Sequence, residues 1–214
     1  MARTNTKTNI FNAAVKLFAQ KGYNVVTVRE IAAAAKANEG VIYYHYKNKE
    51  DILNDIFNAF EKKLEACQLT ENEADASILT DTSPRQLLER CTQVFHNDDA
   101  VFMLHAYRIV CMEQFSNERA MRLVSRVLHD KTAMRFKYVL DKLIEHEKIP
   151  SFDTQSFSVM WTDFMFSRTM KYANHLFEDE VEEPQMDDLN HLGSFWIEMV
   201  VSGKIPDERM QMTL

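Results

Sequence analysis

Apolar residues in this chain recur at intervals of three and four rather than two, and only four glycines and four prolines interrupt its 214 residues. That spacing lines one face of a 3.6-residue helix and does not line one face of a strand, so the pattern predicts an all-α fold. With 46% hydrophobic residues and no long low-complexity block, the chain has enough apolar side chain to pack a core. Its length accommodates a small domain followed by a larger one.

A net charge of -7 would by itself argue against a polyanionic partner. The charges, however, are unevenly distributed. Residues 1–50 hold eight basic residues (Arg3, Lys7, Lys16, Lys21, Arg29, Lys36, Lys47, Lys49) and three acids (Glu30, Glu39, Glu50), a balance of +5, which leaves -12 for the remainder. The asymmetry points to a basic module that touches phosphate, attached to an acidic body that does not.

Other classes lose support. There is no run of eighteen apolar residues and no charged-then-apolar leader, so a cytoplasmic chain with no membrane partner is expected. Cys67, Cys91 and Cys111 are odd in number and lack CxxC spacing, which favours buried thiols over a disulfide framework or a zinc knuckle. The histidines at 45, 96, 105, 129, 146, 175 and 191 contain no i,i+4 pair and no HExxH, so neither a metal nor a cofactor is expected. No G-x-S-x-G, P-loop or glycine-rich phosphate cradle occurs, and the chain reads as not an enzyme.

The basic module carries the most specific pattern. Helix 1 is expected over about Thr6 to Gln20, with Ile10, Ala14, Leu17 and Phe18 on one face and Gly22 as its left-handed stop. Thr27 and Glu30 form a T-x-x-E capping box that opens a second helix, whose apolar face is Val28, Ile31, Ala32 and Ala35. Asn38 is the N-cap of a third helix. On a helical wheel Ile42 and Tyr46 fall together, while Gly40, Val41 and Tyr44 fall opposite. An outward set of that kind, flanked by Tyr43, His45, Lys47 and Lys49, suits a DNA major groove, where Gly40 allows close approach and Val41 can meet a thymine methyl. Packing in the core is the alternative role for Tyr43 and Tyr44. For Glu39 the plainer role is a favourable charge in the first turn, worth ~0.5 kcal/mol, and the sharper one is an acceptor for a cytosine amino group.

The segments AAVKLFAQKGY (Ala13 to Tyr23), TVREIA (Thr27 to Ala32) and GVIYYHYKNKEDIL (Gly40 to Leu53) resemble the TetR family of bacterial one-component repressors, over about residues 5–60. The resemblance implies a three-helix DNA-binding domain at residues 1–49, with its helix-turn-helix at about 26–45, and a larger helical ligand-binding and dimerisation domain at 50–214. It implies that Thr27 and Asn38 bind phosphate at helix starts, that Tyr43, Tyr44 and His45 reach backbone or base edges, and that Lys49 clamps a phosphate. Lys36 stands where the family usually has glycine in the turn, and Glu39 where a basic or small residue is common. The first departure leaves the turn geometry open, and the second places an acid beside DNA, where it repels phosphate.

In the body, a helix is expected over about 49–68, a loop or frayed turn over 69–84, helices over about 84–96, 100–115, 153–177 and 187–202, and a long amphipathic region over 118–148. Phe102, His105, Arg108, Met112, Trp161, Met165, Arg168 and Tyr172 are candidates to line a cavity for an apolar or amphipathic effector, with ordinary core packing as the alternative. Phe157, Trp161, Phe164, Leu192, Phe195, Trp196 and Met199 are candidates for a homodimer seam, because the last two helices carry more apolar surface than one packed side requires. The expected function is a homodimeric repressor on a palindromic operator of double-stranded DNA, released by a small ligand. The alternative is a DNA-binding structural or cell-division protein on the same scaffold without a ligand.

Overall fold

The computed structural model describes residues 6–92, 99–177 and 186–205, with side chains for all of these except 92 and 186–192. The described residues are helical, with connecting turns and no strand. In chain order the helices are α1 (Thr6–Lys21), α2 (Val28–Ala34), α3 (Glu39–His45), α4 (Lys49–Cys67), α5 (Glu71–Leu79), α6 (Pro84–Thr92), α7 (Ala100–Glu113), α8 (Glu118–Arg122), α9 (Thr132–Glu145), α10 (Thr154–His175) and α11 (Met186–Val201). A π-helical stretch, Leu123–Lys131, joins α8 to α9.

Two compact units are formed. The first contains α1 to α4, α7, α8 and the end of α10 from Ala173, and the second contains α5, α6, α9, the rest of α10 and α11. The expected boundary near residue 49 follows the helix-turn-helix alone, whereas packing groups α4 and α7 with it.

In the first unit α1 buries Ile10, Ala14 and Phe18 completely, and α4 does the same with Ile52, Ile56, Phe57 and Phe60. Each isoleucine and phenylalanine among them contributes about 1.5–3 kcal/mol relative to exposure. Leu17, expected on the α1 core face, is half-buried, and Val15 and Ala19 are buried instead. α7 packs on α1, and Arg108 on α7 donates from Nε to the Ala19 carbonyl at 2.8 Å.

The core of the second unit joins Leu87 and Leu88 of α6, Val139, Leu140 and Leu143 of α9, Phe157 and Trp161 of α10, and Ile197 and Val200 of α11. Phe136 stacks on Trp161 at 5.6 Å between ring centroids, and Phe157 meets Trp196 edge-on at 6.1 Å.

One expectation differs from the structure here. Residues 71–79, expected within a loop or frayed turn, are the helix α5, opened by a Thr70–Glu73 capping box of the same form as Thr27–Glu30. Its buried face is only Ala74 and Ile78, too little for periodicity to register. The long amphipathic region expected over 118–148 contains the π-helical stretch between α8 and α9, at whose end the Thr132 hydroxyl donates to the Val127 carbonyl at 3.1 Å.

Candidate nucleic-acid interface

A seven-residue helix such as α3 is too short to persist alone. It is held at both ends and from below. The Asn38 side chain accepts from the Val41 N–H at 3.0 Å, an N-cap worth about 1 kcal/mol. Ile42 and Tyr46 are buried as the wheel predicts, and the Tyr46 hydroxyl donates to Asp55 of α4 at 2.9 Å. Burial, together with that bond, holds the Tyr46 phenol well above its ordinary pKa. Lys7 of α1 pairs with the same Asp55 at 3.2 Å. Asn48 then caps α4 by accepting from the Asp51 N–H at 2.8 Å.

Anchoring Ile42 and Tyr46 turns the opposite side of α3 to solvent. Tyr43 is 54% exposed and Tyr44 84%, and Glu39 and Gly40 are exposed. Val41 and His45 are half-buried, with the His45 ring edge-on to Tyr44 at 5.0 Å. Thr27, exposed at the start of α2, accepts from the Glu30 N–H at 3.2 Å while Glu30 accepts from the Thr27 N–H at 2.8 Å. That reciprocal pair, with Lys21, lowers the Glu30 carboxyl to about 2. Thr27, Asn38 and the α3 residues thus share one exposed helix-turn-helix.

The turn is built without glycine. Lys36 adopts φ +53°. Its N–H donates to the Ala33 carbonyl at 3.2 Å, and the Ala37 N–H donates to Ala32 at 2.9 Å. This is a Schellman motif with lysine at the left-handed position.

Lys49 has a role that sequence reasoning missed. Its ammonium donates to the carbonyls of Tyr23 and Val26, both at 2.8 Å, and lies 4.2 Å from the centre of the Tyr23 ring. Two of its three hydrogens are therefore committed to the α1–α2 connection. Lys47, just before α4 and exposed, stands beside the same face.

The eight candidate cavity residues are divided equally between the two units. On α7, Phe102 lies against Phe11 at 5.8 Å and His105 against Phe177 at 5.1 Å. Arg108 is tied to the Ala19 carbonyl and to Asn174, and the Met112 methyl would stand 3.2 Å from a Cβ placed at Gly22. In the second unit Trp161 is buried and Met165 packs beside the core, Arg168 Nε is buried with no hydrogen-bond partner among the described residues, and Tyr172 is half-buried. Among the seam candidates, Phe157 and Trp161 are turned into their own core instead of outward, because Phe136 stacks on Trp161 and Trp196 covers Phe157. Phe164, Trp196 and Met199 are half-buried, the first two packed against that core, and Phe195 is 56% exposed, while the Leu192 side chain lies outside the described residues. Val159 and Met160 join Phe195 as exposed apolar residues of α10 and α11.

Among the described residues no helix is long and apolar enough to cross a membrane, and no group of three or more His, Cys, Asp or Glu residues could hold a metal ion.

A capped three-helix head with an exposed second helix of the pair defines the class of helix-turn-helix proteins. Residues 10–56 match the sequence profile described as "Bacterial regulatory proteins, tetR family", and over that segment the chain is similar to that family. It is 29% identical to the probable HTH-type transcriptional regulator YttP of Bacillus subtilis over 149 residues, 67% of this chain and 65% of that one. It is 39% identical to the HTH-type transcriptional regulator QacR of Staphylococcus aureus over 59 residues, 28% of this chain and 31% of that one. The match thus spans less than two thirds of the length of these relatives. In fold, it resembles the ketosteroid transcriptional regulator KstR2 of Mycobacterium tuberculosis, with a TM-score of 0.64 at 17% identity over 95% of this chain and 96% of that one. A TetR-like regulator from Rhodococcus sp. RHA1 has a TM-score of 0.64 at 14% identity over 93% of this chain and 97% of that one.

Proposed function

We propose that this chain is a sequence-specific, DNA-binding transcriptional repressor that grips a palindromic operator as a homodimer and is released by a small apolar or amphipathic ligand. The observation that carries the DNA half is the exposure of Tyr43 and Tyr44 on a short helix anchored by Ile42 and Tyr46. Large aromatic side chains held at a surface need a partner, and phosphate and base edges suit a phenol. The balance of +5 in the first fifty residues favours a polyanion. Thr27, Asn38 and the helix starts behind them supply backbone donors to phosphate, His45 adds a ring nitrogen, and Lys47 supplies a cation.

The repressor direction is supported by relatives named as repressors, NicS of Pseudomonas putida and KstR2 of Rhodococcus jostii. The ligand is supported by a structural neighbour from Saccharomonospora viridis, whose crystal structure is of a complex with choline. Phe195, Val159 and Met160 are the apolar surface left for a second copy.

Two heads in one dimer grip DNA when their α3 helices stand about one helical turn, ~34 Å, apart. A ligand that shifts occupancy from 99:1 to 1:99 must favour the non-binding state by ~5.5 kcal/mol. Selection of bound fragments from random double-stranded DNA tests this function. An enriched inverted repeat with half-sites about one turn apart is the expected result, and a pool with no enriched sequence would overturn it.

A further inference from the structure

In the second unit a narrow recess lies between the residues that follow α4, α6 and the first two turns of α9. Its walls include Gln68, Leu69, Thr132, Arg135, Phe136 and Val139. It has about 340 Å³ of unfilled space, mouth included, of which about 30 Å³ is wide enough for a free water. Two of the lining residues carry buried polar atoms with no hydrogen-bond partner among the described residues, Gln68 Oε1 and Arg135 Nη1. Burying a guanidinium N–H without an acceptor costs more than leaving a neutral group unmatched, and folded proteins seldom do it. The Thr132 hydroxyl donates to the Val127 carbonyl at 3.1 Å and accepts nothing from Arg135 Nη1. Leu69, Phe136 and Val139 are apolar, and α9 enters the recess directly from the π-helical stretch, a geometry that recurs at functional sites.

We propose that this recess binds the carboxylate of a small amphiphilic organic acid, with Arg135 Nη1 donating to one oxygen and the Gln68 amide contacting the other. A half-turn of that amide presents its NH₂ in place of its oxygen, so Gln68 serves as a second donor. Arginine keeps its charge at any working pH, so an anion gains more here than a neutral ligand. One or two waters would fill the wide part but leave the cation uncompensated against an apolar wall. A phosphate dianion calls for more donors than one guanidinium and one amide supply. The part wide enough for a free water, about 30 Å³, seats the carboxylate, and a single ring or a short chain lies along Leu69, Phe136 and Val139 toward the open mouth. As the effector site, the recess rests on the ligand-released reading above. As a binding site it is testable without DNA.

The full chain is melted and titrated calorimetrically, at constant ionic strength, with sodium benzoate and sodium octanoate against benzamide and octanamide. A saturable rise in Tm with at least one acid, and none with its amide, is expected. Arg135→Gln should weaken binding by at least about tenfold, the loss of one charge-assisted hydrogen bond. Val139→Phe, which fills the recess and keeps Arg135, should abolish it. An equal response to the amides, no response to either acid, or unchanged binding in the variants overturns the site. Circular dichroism reports whether each variant is folded, and Val139→Phe decides if Arg135→Gln is not. A gel shift on a selected operator is read separately. An acid that binds the protein and leaves DNA affinity unchanged overturns the effector role, whereas failure to select any operator overturns the repressor reading and not the carboxylate site.

Discussion

The buried carboxylate of Glu113, at the end of α7, accepts a hydrogen bond from the backbone N–H of Tyr23 at 3.3 Å, although ninety residues separate the two. The carbonyl of the same Tyr23 accepts from Lys49 at 2.8 Å. One residue in the α1–α2 connection is thus held by α7 on its N–H side and by α4 on its C=O side. Glu113→Ala leaves that N–H without its acceptor and should cost about 1–3 kcal/mol of stability, whereas Glu113→Gln retains an acceptor and should cost less. Urea unfolding of both variants checks the order, and equal losses would contradict it.

Lys49 can be a phosphate clamp or a tie within the head, and the two roles differ in salt dependence. A lysine that neutralises one phosphate changes the slope of log affinity against log salt by about 0.9 on removal. With its ammonium on the Tyr23 and Val26 carbonyls, Lys49→Met should lower Tm and leave the slope nearly unchanged. A slope reduced by about one, with Tm unaltered, would restore the clamp.

The left-handed backbone of Lys36 costs roughly 1–2 kcal/mol for a residue with a Cβ, partly offset in a glycine variant by the looser unfolded chain. Lys36→Gly should therefore stabilise the chain by about 0.5–1 kcal/mol. Chemical denaturation of the variant measures it, and a destabilisation would show that the lysine side chain holds the turn.

Burial, with Lys16 and Arg108 adding to it, holds the His105 imidazole below its ordinary pKa. The unfolded chain takes up that proton near pH ~6.5 and the folded chain only at lower pH, so protons favour unfolding and stability falls as pH drops through that window. His105→Phe keeps a ring against Phe177 and has no proton to gain. Unfolding free energies from pH about 7.5 to about 5.5 should increasingly favour the variant. A constant difference between variant and parent would contradict this.

Much of the head was legible because its signals are local. Thr27 with Glu30, Asn38 before α3, and the pairing of Ile42 with Tyr46 all act within one or two turns, where sequence spacing is spatial proximity. The second helical pair was legible only as excess apolar surface, since nothing local distinguishes Phe157 and Trp161, which face their own core, from Phe195, which does not. α5 escaped because two buried residues make no period, although its capping box was in plain view at Thr70 and Glu73. The bonds of Lys49 to Tyr23 and Val26, and of Glu113 to Tyr23, join distant segments and leave no trace in spacing. The recess at Arg135 depends likewise on the end of α4, α6 and α9 meeting.

The central claim is that the outward face of α3 binds DNA, and Tyr44, 84% exposed and remote from the core, tests it with least risk to the fold. Fluorescence anisotropy on a selected operator at fixed salt should show Tyr44→Ala weakened by about tenfold, as for the loss of a contact worth 1–3 kcal/mol, with an unchanged melting curve. Equal affinity of variant and parent would contradict the assignment of this face.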